Sequence, residues 1–226
     1  MIAVICAMSI EAEALKQKLE NVEIIEILNK TFYKGTINNQ EIVLVICGIG
    51  KVSAGITTAL LIEHFRPSLI INSGIAGGFL EKLNTLDLVV SEKVAYYDVD
   101  LLADNEEYGK LPDLPKYFMT NKEVVKYLDK AGISYHYGLI ITADTFASDR
   151  EKIKKLIDKY YQTEVVLAVD MESAAVGQVC YTNNVPFINL RVISDVIGAE
   201  SQLSTYYNFA EKAADKSVDA ILSIIK

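Results

Sequence analysis

The fold is indicated most clearly by residues 165–195, whose sequence is VVLAVDMESAAVGQVCYTNNVPFINLRVISD. This segment contains a continuous apolar run at 165–169 and a mostly apolar run at 186–193, and short runs of this kind are typical of strands buried in a sheet. Between them, residues 171–183 have the length and composition of a helix. We therefore predict a strand, a helix and a second strand, the repeating unit of α/β folds.

The same alternation of strand and helix continues along the chain. Further strands are predicted at 2–8, 68–73, 86–91 and 137–143, and helices at 9–20, 51–65, 121–131, 149–161 and 203–225. Ser9 is the expected N-cap of the first helix. Runs at 22–27, 31–37 and 41–47, separated by asparagine-containing turns, predict an antiparallel meander, and 98–118 is predicted as a long loop. The expected fold is a three-layer αβα sandwich with a central mixed, largely parallel sheet, in a single domain spanning 1–226.

Composition excludes several classes of function. The 226 residues carry a net charge of −8 without a basic block, which disfavours binding to nucleic acid or to an acidic membrane surface. The three cysteines are far apart and there are two histidines, so neither a disulfide framework nor a zinc site is expected. No apolar run reaches the length of a membrane span and no signal-peptide pattern precedes the first strand, so we expect a cytoplasmic protein.

Acidic residues stand at or just past the ends of apolar runs. Glu11, Glu172 and Asp195 each follow a predicted strand, and Arg191 lies just inside the last one. If these strands are parallel, the side chains converge at one rim of the sheet, where α/β proteins bind ligands. Such a cluster can transfer protons, activate water or bind sugar hydroxyls. Each acid taken alone also fits a first-turn or N-cap position of a helix, and both interpretations stay open.

Two glycine segments and two apolar side chains are open to more than one interpretation. The GIGK segment at 48–51 is not a Walker A motif, because Val45 stands where its first glycine belongs. This segment and the GIAGG segment at 74–78 either let the backbone approach a ligand or form tight turns. Phe146 either stacks on a base or packs in the core, and Met171 is equally ambiguous.

A series of motifs carries a family resemblance. They are Ala7-Met8 with Glu11, GIGKV at 48–52, INSGIAGG at 71–78, YYDVD at 96–100, EYGKLP at 107–112, ADTF at 143–146, AVDMES at 168–173 and RVISDV at 191–196. In this order the chain resembles the 5'-methylthioadenosine/S-adenosylhomocysteine nucleosidases of the purine nucleoside phosphorylase superfamily. The match covers nearly the whole chain, and MES followed by RVISDV is its most specific part.

The resemblance implies an activity and the residues that perform it. The reaction is hydrolysis of an adenosine-type nucleoside to adenine and a 5-substituted ribose, without a metal or an organic cofactor. Asp195 resembles the acid that protonates the purine at N7, Glu11 resembles the group that activates the attacking water, and Arg191 lies beside that water. The resemblance also implies a homodimer formed through the face carrying the 98–115 loop, and a role such as methionine salvage.

It further implies a substrate-binding set. Glu172 resembles the group that holds the ribose hydroxyls, Met171 lies along the ribose, Phe146 stacks on adenine, the backbone of Ala147 reads the edge of the base, Ser194 orients Asp195, and Met8, Ile49 and Ile75 complete the contacts.

Several positions depart from the family pattern. Ile75 replaces the usual serine in the segment where related phosphorylases hold phosphate, and Asp170 replaces a usual glutamate. Asp104, Glu106 and Thr205 replace aromatic residues of the 5' pocket, although Tyr206 or Tyr207 can compensate for the last. These changes favour a polar 5' group such as the amino acid tail of S-adenosylhomocysteine.

Two alternatives remain at this point. A nucleoside phosphorylase of the same fold requires cationic phosphate ligands, for which Lys51 and Arg191 are the candidates. A non-catalytic nucleoside-binding protein would be expected to lack the acids, and Glu11, Glu172 and Asp195 are all present.

Overall fold

The computed structural model describes residues 1–225, which form ten strands and six α-helices. The strands are β1 (Ile2–Cys6), β2 (Glu20–Ile27), β3 (Lys30–Ile37), β4 (Gln40–Ile46), β5 (Leu69–Gly78), β6 (Leu88–Tyr96), β7 (Phe118–Met119), β8 (His136–Thr142), β9 (Val166–Asp170) and β10 (Phe187–Val196). The helices are α1 (Ser9–Lys16), α2 (Lys51–Phe65), α3 (Lys122–Lys130), α4 (Arg150–Tyr160), α5 (Ser173–Thr182) and α6 (Gln202–Ile224). Lys226, the last residue of the predicted domain, lies outside the described residues. No helix within 1–225 combines enough length with enough apolar character to cross a membrane.

All ten strands belong to one mixed sheet. Its order is β10-β6-β8-β9-β5-β1-β4-β3-β2, with β7 beside β6. Strand β10 also pairs with β5, so that β5, β9, β8, β6 and β10 close into a ring from which the remaining strands extend. The predicted meander is present as β2, β3 and β4, in which Phe32 lies opposite Ile25 on one side and Val45 on the other.

The expectation of a largely parallel sheet is not confirmed. Parallel pairing joins β1 to β4 and β5, β10 to β5, and β8 to β6 and β9. Equally many pairs among residues 1–225 are antiparallel, namely β2–β3, β3–β4, β5–β9, β6–β7 and β6–β10. The reason lies in the ring, because β9 runs against β5 while β10 runs with it. The two strands within residues 165–195, β9 and β10, are therefore separated by β5 and run in opposite directions.

Side chains alternate between the two faces of the sheet, and helices cover both. Val4 and Leu44 pack on the face covered by α1, α3 and α6. Their neighbours Ala3 and Val43 pack on the other face, with α2 and α5. Helix α4 packs against the β8 and β9 region through Ile153 and other apolar residues. Because successive residues are buried on opposite faces, the sheet must be covered on each side, and this confirms the α/β class and the three layers.

Several element boundaries differ from the predictions, and three of these differences involve the candidate site. Strand β5 continues through the glycine segment 74–78, beyond the end of the strand predicted at 68–73, so the segment does not form the tight turns that were one of its two interpretations. Strand β10 runs to Val196, so Ser194 and Asp195 lie inside it and not beyond its end. Met8, and not Ser9, is the N-cap of α1.

The 98–118 segment is held in place by aromatic and polar contacts. Tyr108 stacks on Tyr160 with ring centroids 4.0 Å apart and donates a hydrogen bond to the carbonyl oxygen of Tyr97 (2.9 Å). The buried Lys116 donates to the carbonyl oxygen of Tyr160 (2.9 Å). Because this segment includes Asp98, the same contacts fix an acid that lies beside the start of α2.

Candidate active site

A cavity of about 120 Å³ opens where β1, β5, β9 and β10 meet. It is lined by Ala7, Met8, Glu11, Ile49, Ile75, Ala76, Gly77, Thr145, Phe146, Ala147, Val169, Asp170, Met171, Glu172, Ser194, Asp195 and Tyr206. All the predicted site residues except Arg191 are in this lining. They come together although β9 runs antiparallel to β5, because Val169 pairs with Gly77 and so brings the end of β9 onto the middle of the site.

Glu11 is held in the first turn of α1 by three backbone donors. Its Oε2 accepts hydrogen bonds from the N–H groups of Ala7 (2.8 Å) and Met8 (2.9 Å), and its Oε1 accepts from Ile75 (3.0 Å). Burial raises the pKa of this carboxyl, while Arg191 and the three N–H groups lower it, and burial prevails. The result is a fixed carboxylate that is more basic than an exposed one, as a general base requires.

Arg191 lies behind the cavity wall with its side chain almost fully buried. Its Nε donates to Oδ2 of Asp170 (2.8 Å), and its Nη2 lies 3.6 Å from Oε2 of Glu172. Burial lowers the pKa of the guanidinium, but Asp170, Glu172 and Glu11 outweigh burial and leave the pKa raised. The permanent positive charge offsets part of the repulsion among three acids packed closely together.

Glu172 connects the start of α5 to the start of α2. It is the N-cap residue of α5, and its Oε1 accepts from the N–H of Gly50 (2.9 Å). Gly50 adopts φ +97°, a conformation that favours glycine. Burial raises the pKa of Glu172 to about 7, with Arg191 lowering it and Asp170 raising it further. Near neutral pH this side chain can therefore both accept and donate hydrogen bonds to a ligand's hydroxyl groups.

A β-bulge directs two adjacent side chains of β10 into the cavity. Ile193 lies opposite Ala76 of β5 and Asp195 lies opposite Gly77, so Ser194 is the extra residue. Neighbouring side chains of a regular strand point to opposite faces, whereas a bulge re-aims them. Ser194 and Asp195 consequently line the same cavity.

Both oxygens of the Asp195 carboxyl group accept hydrogen bonds. Ser194 Oγ donates to Oδ1 (2.6 Å), and Nε2 of Gln202, the first residue of α6, donates to Oδ2 (2.8 Å). Burial raises the pKa of Asp195, while the hydrogen bonds from Ser194 and Gln202 lower it, and the net shift is upward. A carboxyl group that keeps its proton more readily than usual is suited to act as a general acid.

An aromatic wall closes another side of the cavity. Phe146 is 45% exposed, which speaks against the alternative that it packs in the core. The ring of Tyr206 meets it edge-on, with centroids 5.6 Å apart and an interplanar angle of 87°. Tyr206 Oη lies 3.8 Å from the sulfur of Met8. The exposed ring is available for a flat ligand to stack on, and the Met171 side chain lines the same space.

The residues considered as phosphate ligands are engaged elsewhere. Lys51 Nζ is bonded to Asp98 Oδ2 at 2.6 Å and lies 3.9 Å from Asp144. Ile75 presents an apolar side chain to the cavity, although its backbone N–H binds Glu11. Ile49, from the other glycine segment, adds a second apolar contact. Among the residues that line the cavity, none carries a cationic side chain.

Sequence reasoning missed one polar neighbour of the acid. Gln202 lies seven residues after Asp195, close enough in sequence for its side chain to reach back, but helical periodicity marks it only as the start of α6. Thr145 and Val169 also line the cavity and were not predicted. Of the residues expected near the 5' pocket, Tyr206 lines this cavity, and Asp104, Glu106 and Thr205 are not in its lining. Glu106 is paired with Lys110 at 2.7 Å.

Comparison with known proteins gives one consistent family. The model of the phosphorylase superfamily matches residues 1–226. The 5'-methylthioadenosine/S-adenosylhomocysteine nucleosidase of Bacillus cytotoxicus is 40% identical over 230 residues, covering 100% of this chain and 98% of the relative. The nucleosidase of the same name from Bacillus anthracis is 39% identical with the same coverage.

Solved structures agree with the sequence relatives. The 5'-methylthioadenosine/S-adenosylhomocysteine nucleosidase of Streptococcus pneumoniae, with the transition-state inhibitor MT-ImmA, superposes with a TM-score of 0.93 at 34% identity, covering 100% of this chain and 98% of that one. The nucleosidase of Colwellia psychrerythraea in complex with adenine gives a TM-score of 0.92 at 36% identity, covering 99% and 93%. The resemblance found in the motifs is therefore confirmed over the whole length of the chain.

Proposed function

Because this chain belongs to the 5'-methylthioadenosine/S-adenosylhomocysteine nucleosidases of the phosphorylase superfamily, we propose that it hydrolyses the N-glycosidic bond of these nucleosides. The products are adenine and a 5-thio-substituted ribose. The observation that carries the proposal is that Asp195 and Glu11, two buried carboxyl groups with raised pKa values, line one cavity. One can give a proton to the base while the other takes a proton from water.

Asp195 is the general acid of this mechanism. It donates its proton to N7 of adenine, so that the C1'–N9 bond breaks with its electron pair moving to a neutral leaving group. The ribose is left as an oxocarbenium-like cation. Ser194 holds the carboxyl group in place through its hydrogen bond to Oδ1.

Glu11 is the general base. It removes a proton from a water molecule as the water oxygen forms a bond to C1', and the proton remains on Glu11 until the products leave. Arg191 lies behind Glu11 and Glu172, where its charge keeps both in a usable ionisation state and limits their mutual repulsion. The negative charge of the acids stabilises the ribosyl cation between them.

The remaining cavity residues bind the nucleoside. Glu172 binds the ribose hydroxyls, Met171 lies along the ribose, Phe146 stacks on adenine and the backbone of Ala147 reads the edge of the base. Met8, Ile49 and Ile75 complete the apolar contacts. We place the 5' substituent beside Met8 and Tyr206, whose phenol adds a polar group there and favours a polar 5' tail.

The charge of the cavity supports hydrolysis over phosphorolysis. A phosphate dianion placed beside Glu11 and Glu172 would be repelled unless cations faced it. Arg191 is already bonded to Asp170, and Lys51 is bonded to Asp98. Ile75 offers no hydroxyl group in the segment where a phosphorylase would bind the anion.

The proposal extends to assembly and location. Val52 and Ile56 lie on one face of α2 with exposures of 71% and 49%, and Ile49 beside them is 56% exposed. This apolar strip adjoins the 98–115 loop through the Lys51–Asp98 ion pair, and we assign it to the interface of a homodimer. The three cysteines are free and buried, which supports a cytoplasmic location. We further propose that the chain is a single nucleosidase domain and that it acts in methionine salvage.

The test is adenine release from 5'-methylthioadenosine, S-adenosylhomocysteine and 5'-deoxyadenosine in phosphate-free buffer. We expect release from at least the first two, and a loss of about a hundredfold or more in Asp195→Asn and in Glu11→Gln. Asp158→Asn and Glu123→Gln are matched controls, because these acids form exposed ion pairs with Lys154 and Lys126. No release from any of the nucleosides, or full activity in Asp195→Asn, would refute the proposal.

A further inference from the structure

Gln202 holds three polar groups of the site at once. Its Nε2 donates to Oδ2 of Asp195 (2.8 Å) and to the carbonyl oxygen of Ala147 (2.7 Å). Its Oε1 accepts from the N–H of Gly198 (2.9 Å). The side chain is buried, so these contacts satisfy the whole amide without help from solvent.

The three contacts permit only one orientation of the amide. Reversing it would place Oε1 against two acceptors, the oxygens of Asp195 and Ala147, and Nε2 against the N–H of Gly198. The Gly198 N–H therefore fixes the orientation of the Gln202 amide, whose two hydrogens point at Asp195 and Ala147. An oxygen that faces a fixed N–H hydrogen is an unfavourable place for a proton, so Oδ2 remains an acceptor.

On these contacts we infer that Gln202 is a positioning residue that keeps Oδ2 of Asp195 unprotonated and directs the transferable proton to Oδ1. Ser194 can accommodate that proton, because its hydroxyl can turn from Oδ1 to the carbonyl oxygen of Ala76, 3.3 Å away. The inference rests on the proposed function and assigns the atom from which the purine is protonated. Through Ala147, Gln202 also links the acid to the segment that reads the base.

The groups around Asp195 determine its pKa. The other charged or titratable side chains near it are Glu11, Asp170, Glu172 and Tyr206 in the cavity wall, Arg191 behind them, and Arg150 on α4, which donates to the carbonyl oxygen of Ile197. Within residues 1–225, the hydrogen bonds to the Asp195 carboxyl come from Ser194 and Gln202. The Gln202 bond lowers the pKa of Asp195, so removing it will raise that pKa.

The experiment is the pH dependence of kcat/KM for adenine release, from pH 5 to 10, in wild type and Gln202→Met. Methionine keeps the length of the side chain and loses all three hydrogen bonds. We expect the alkaline limb, where Asp195 loses its proton, to move upward by about one pH unit, and kcat to fall about tenfold. Asp195→Asn must lack this limb, which assigns it. Ser204→Ala, which removes an exposed hydroxyl from the same turn of α6, must leave the profile unchanged.

Gln202→Glu tests the assignment of the proton to one oxygen. A glutamate at this position faces Oδ2 with a carboxyl group and draws the shared proton onto the Oδ2 side, away from Oδ1. We expect its alkaline limb to lie above that of Gln202→Met while its kcat lies lower, by about a further tenfold. A kcat equal to that of wild type in Gln202→Glu would overturn the assignment.

The outcomes separate this inference from the proposed function. If wild type releases no adenine, the proposed function fails, and adenine binding measured by calorimetry across the same pH range then tests Gln202 independently. Adenine binds through its N7 acceptor more tightly to protonated Asp195, so the pH at which affinity declines reports the same pKa. An alkaline limb, or an affinity profile, that lies at the same pH in wild type and Gln202→Met would overturn the inference.

Discussion

Replacing Gly74 with alanine will displace the catalytic base. Gly74 lies in β5 opposite Arg191, and a Cβ atom built on it would lie 2.5 Å from Oε1 of Glu11 and 3.0 Å from Nη1 of Arg191. Contacts that short do not persist between such atoms, and ordinary van der Waals distance begins near 3.4 Å. The carboxylate must therefore move by roughly 1 Å, which breaks its hydrogen bond from Ile75 (3.0 Å).

Displacing the Glu11 carboxylate will slow the reaction. A misplacement of about 1 Å in a catalytic group costs about a hundredfold in rate. The lost hydrogen bond to a charged group, about 1.5–3 kcal/mol, further loosens Glu11. We expect kcat for adenine release to fall by about a hundredfold or more in Gly74→Ala, with the protein still folded because the rest of β5 is unchanged.

A second glycine provides the control. A Cβ atom on Gly55, in α2, would meet only Val179, at 3.9 Å. Gly55→Ala should keep kcat within about twofold of wild type and raise the free energy of unfolding by about 0.5–1 kcal/mol. Both variants are compared by steady-state adenine release and by urea unfolding. A Gly74→Ala protein that is folded and keeps more than about a third of wild-type kcat would refute the placement of Glu11.

Three other predictions concern stability, base binding and assembly. Burial raises the pKa of Glu172 in the folded protein to about 7, above its ordinary value of 4.5. Protonation of Glu172 therefore stabilises the fold fully below pH 4.5, and this stabilisation is lost as the pH rises through 7. In urea unfolding, the free energy of unfolding of wild type should fall by up to about 3 kcal/mol more than that of Glu172→Gln between these two pH values. Parallel plots of unfolding free energy against pH for the two proteins would contradict this. Phe146→Ala should raise KM about tenfold or more, because stacking on a base contributes about 1–3 kcal/mol. The free energy of unfolding should change little, because Phe146 is 45% exposed. An unchanged KM would show that Phe146 does not stack on the base. Val52→Glu should convert a dimer into a monomer in sedimentation velocity, whereas Glu63→Gln at the far end of α2 should not; a wild-type monomer would rule out the interface.

Local patterns were enough to predict most elements of the fold. Residues 51–65 form α2 with the predicted bounds, because the pattern of the sequence and Pro67 after it determine both ends. The strands at 165–169 and 186–193 are present as β9 and β10. Their relative direction was not predictable from either segment, because it follows from pairing with β5 and β6 when the ring closes.

The glycine segment 74–78 shows where local propensity fails. Glycine is depleted in strands, so GIAGG indicates a loop. In the structure the segment continues β5 because it pairs with β10 along its length and with β9 at its end. Glycine is required at Gly74 because the side chains of Glu11 and Arg191 approach the backbone and leave no room for a Cβ atom. That pairing and that crowding depend on α1, β9 and β10, and nothing within the segment reveals them.

The candidate site was predictable where its residues flank apolar strands. Glu11, Glu172 and Asp195 were found in this way, and the motif resemblance supplied Phe146 and Ala147. Gln202 was missed, because its function depends on contacts with Asp195 and Ala147 that arise only after α6 packs against β10. The bulge at Ser194 was equally invisible, since it is a feature of the register between two strands.

The identity of the ribosyl product tests most directly whether this protein is a hydrolase. 5'-Methylthioadenosine is incubated with the enzyme in saturating phosphate, and the products are resolved by mass spectrometry. We predict adenine and free 5-methylthioribose, formed at the rate seen without phosphate. 5-Methylthioribose 1-phosphate, or turnover that requires phosphate, would contradict it.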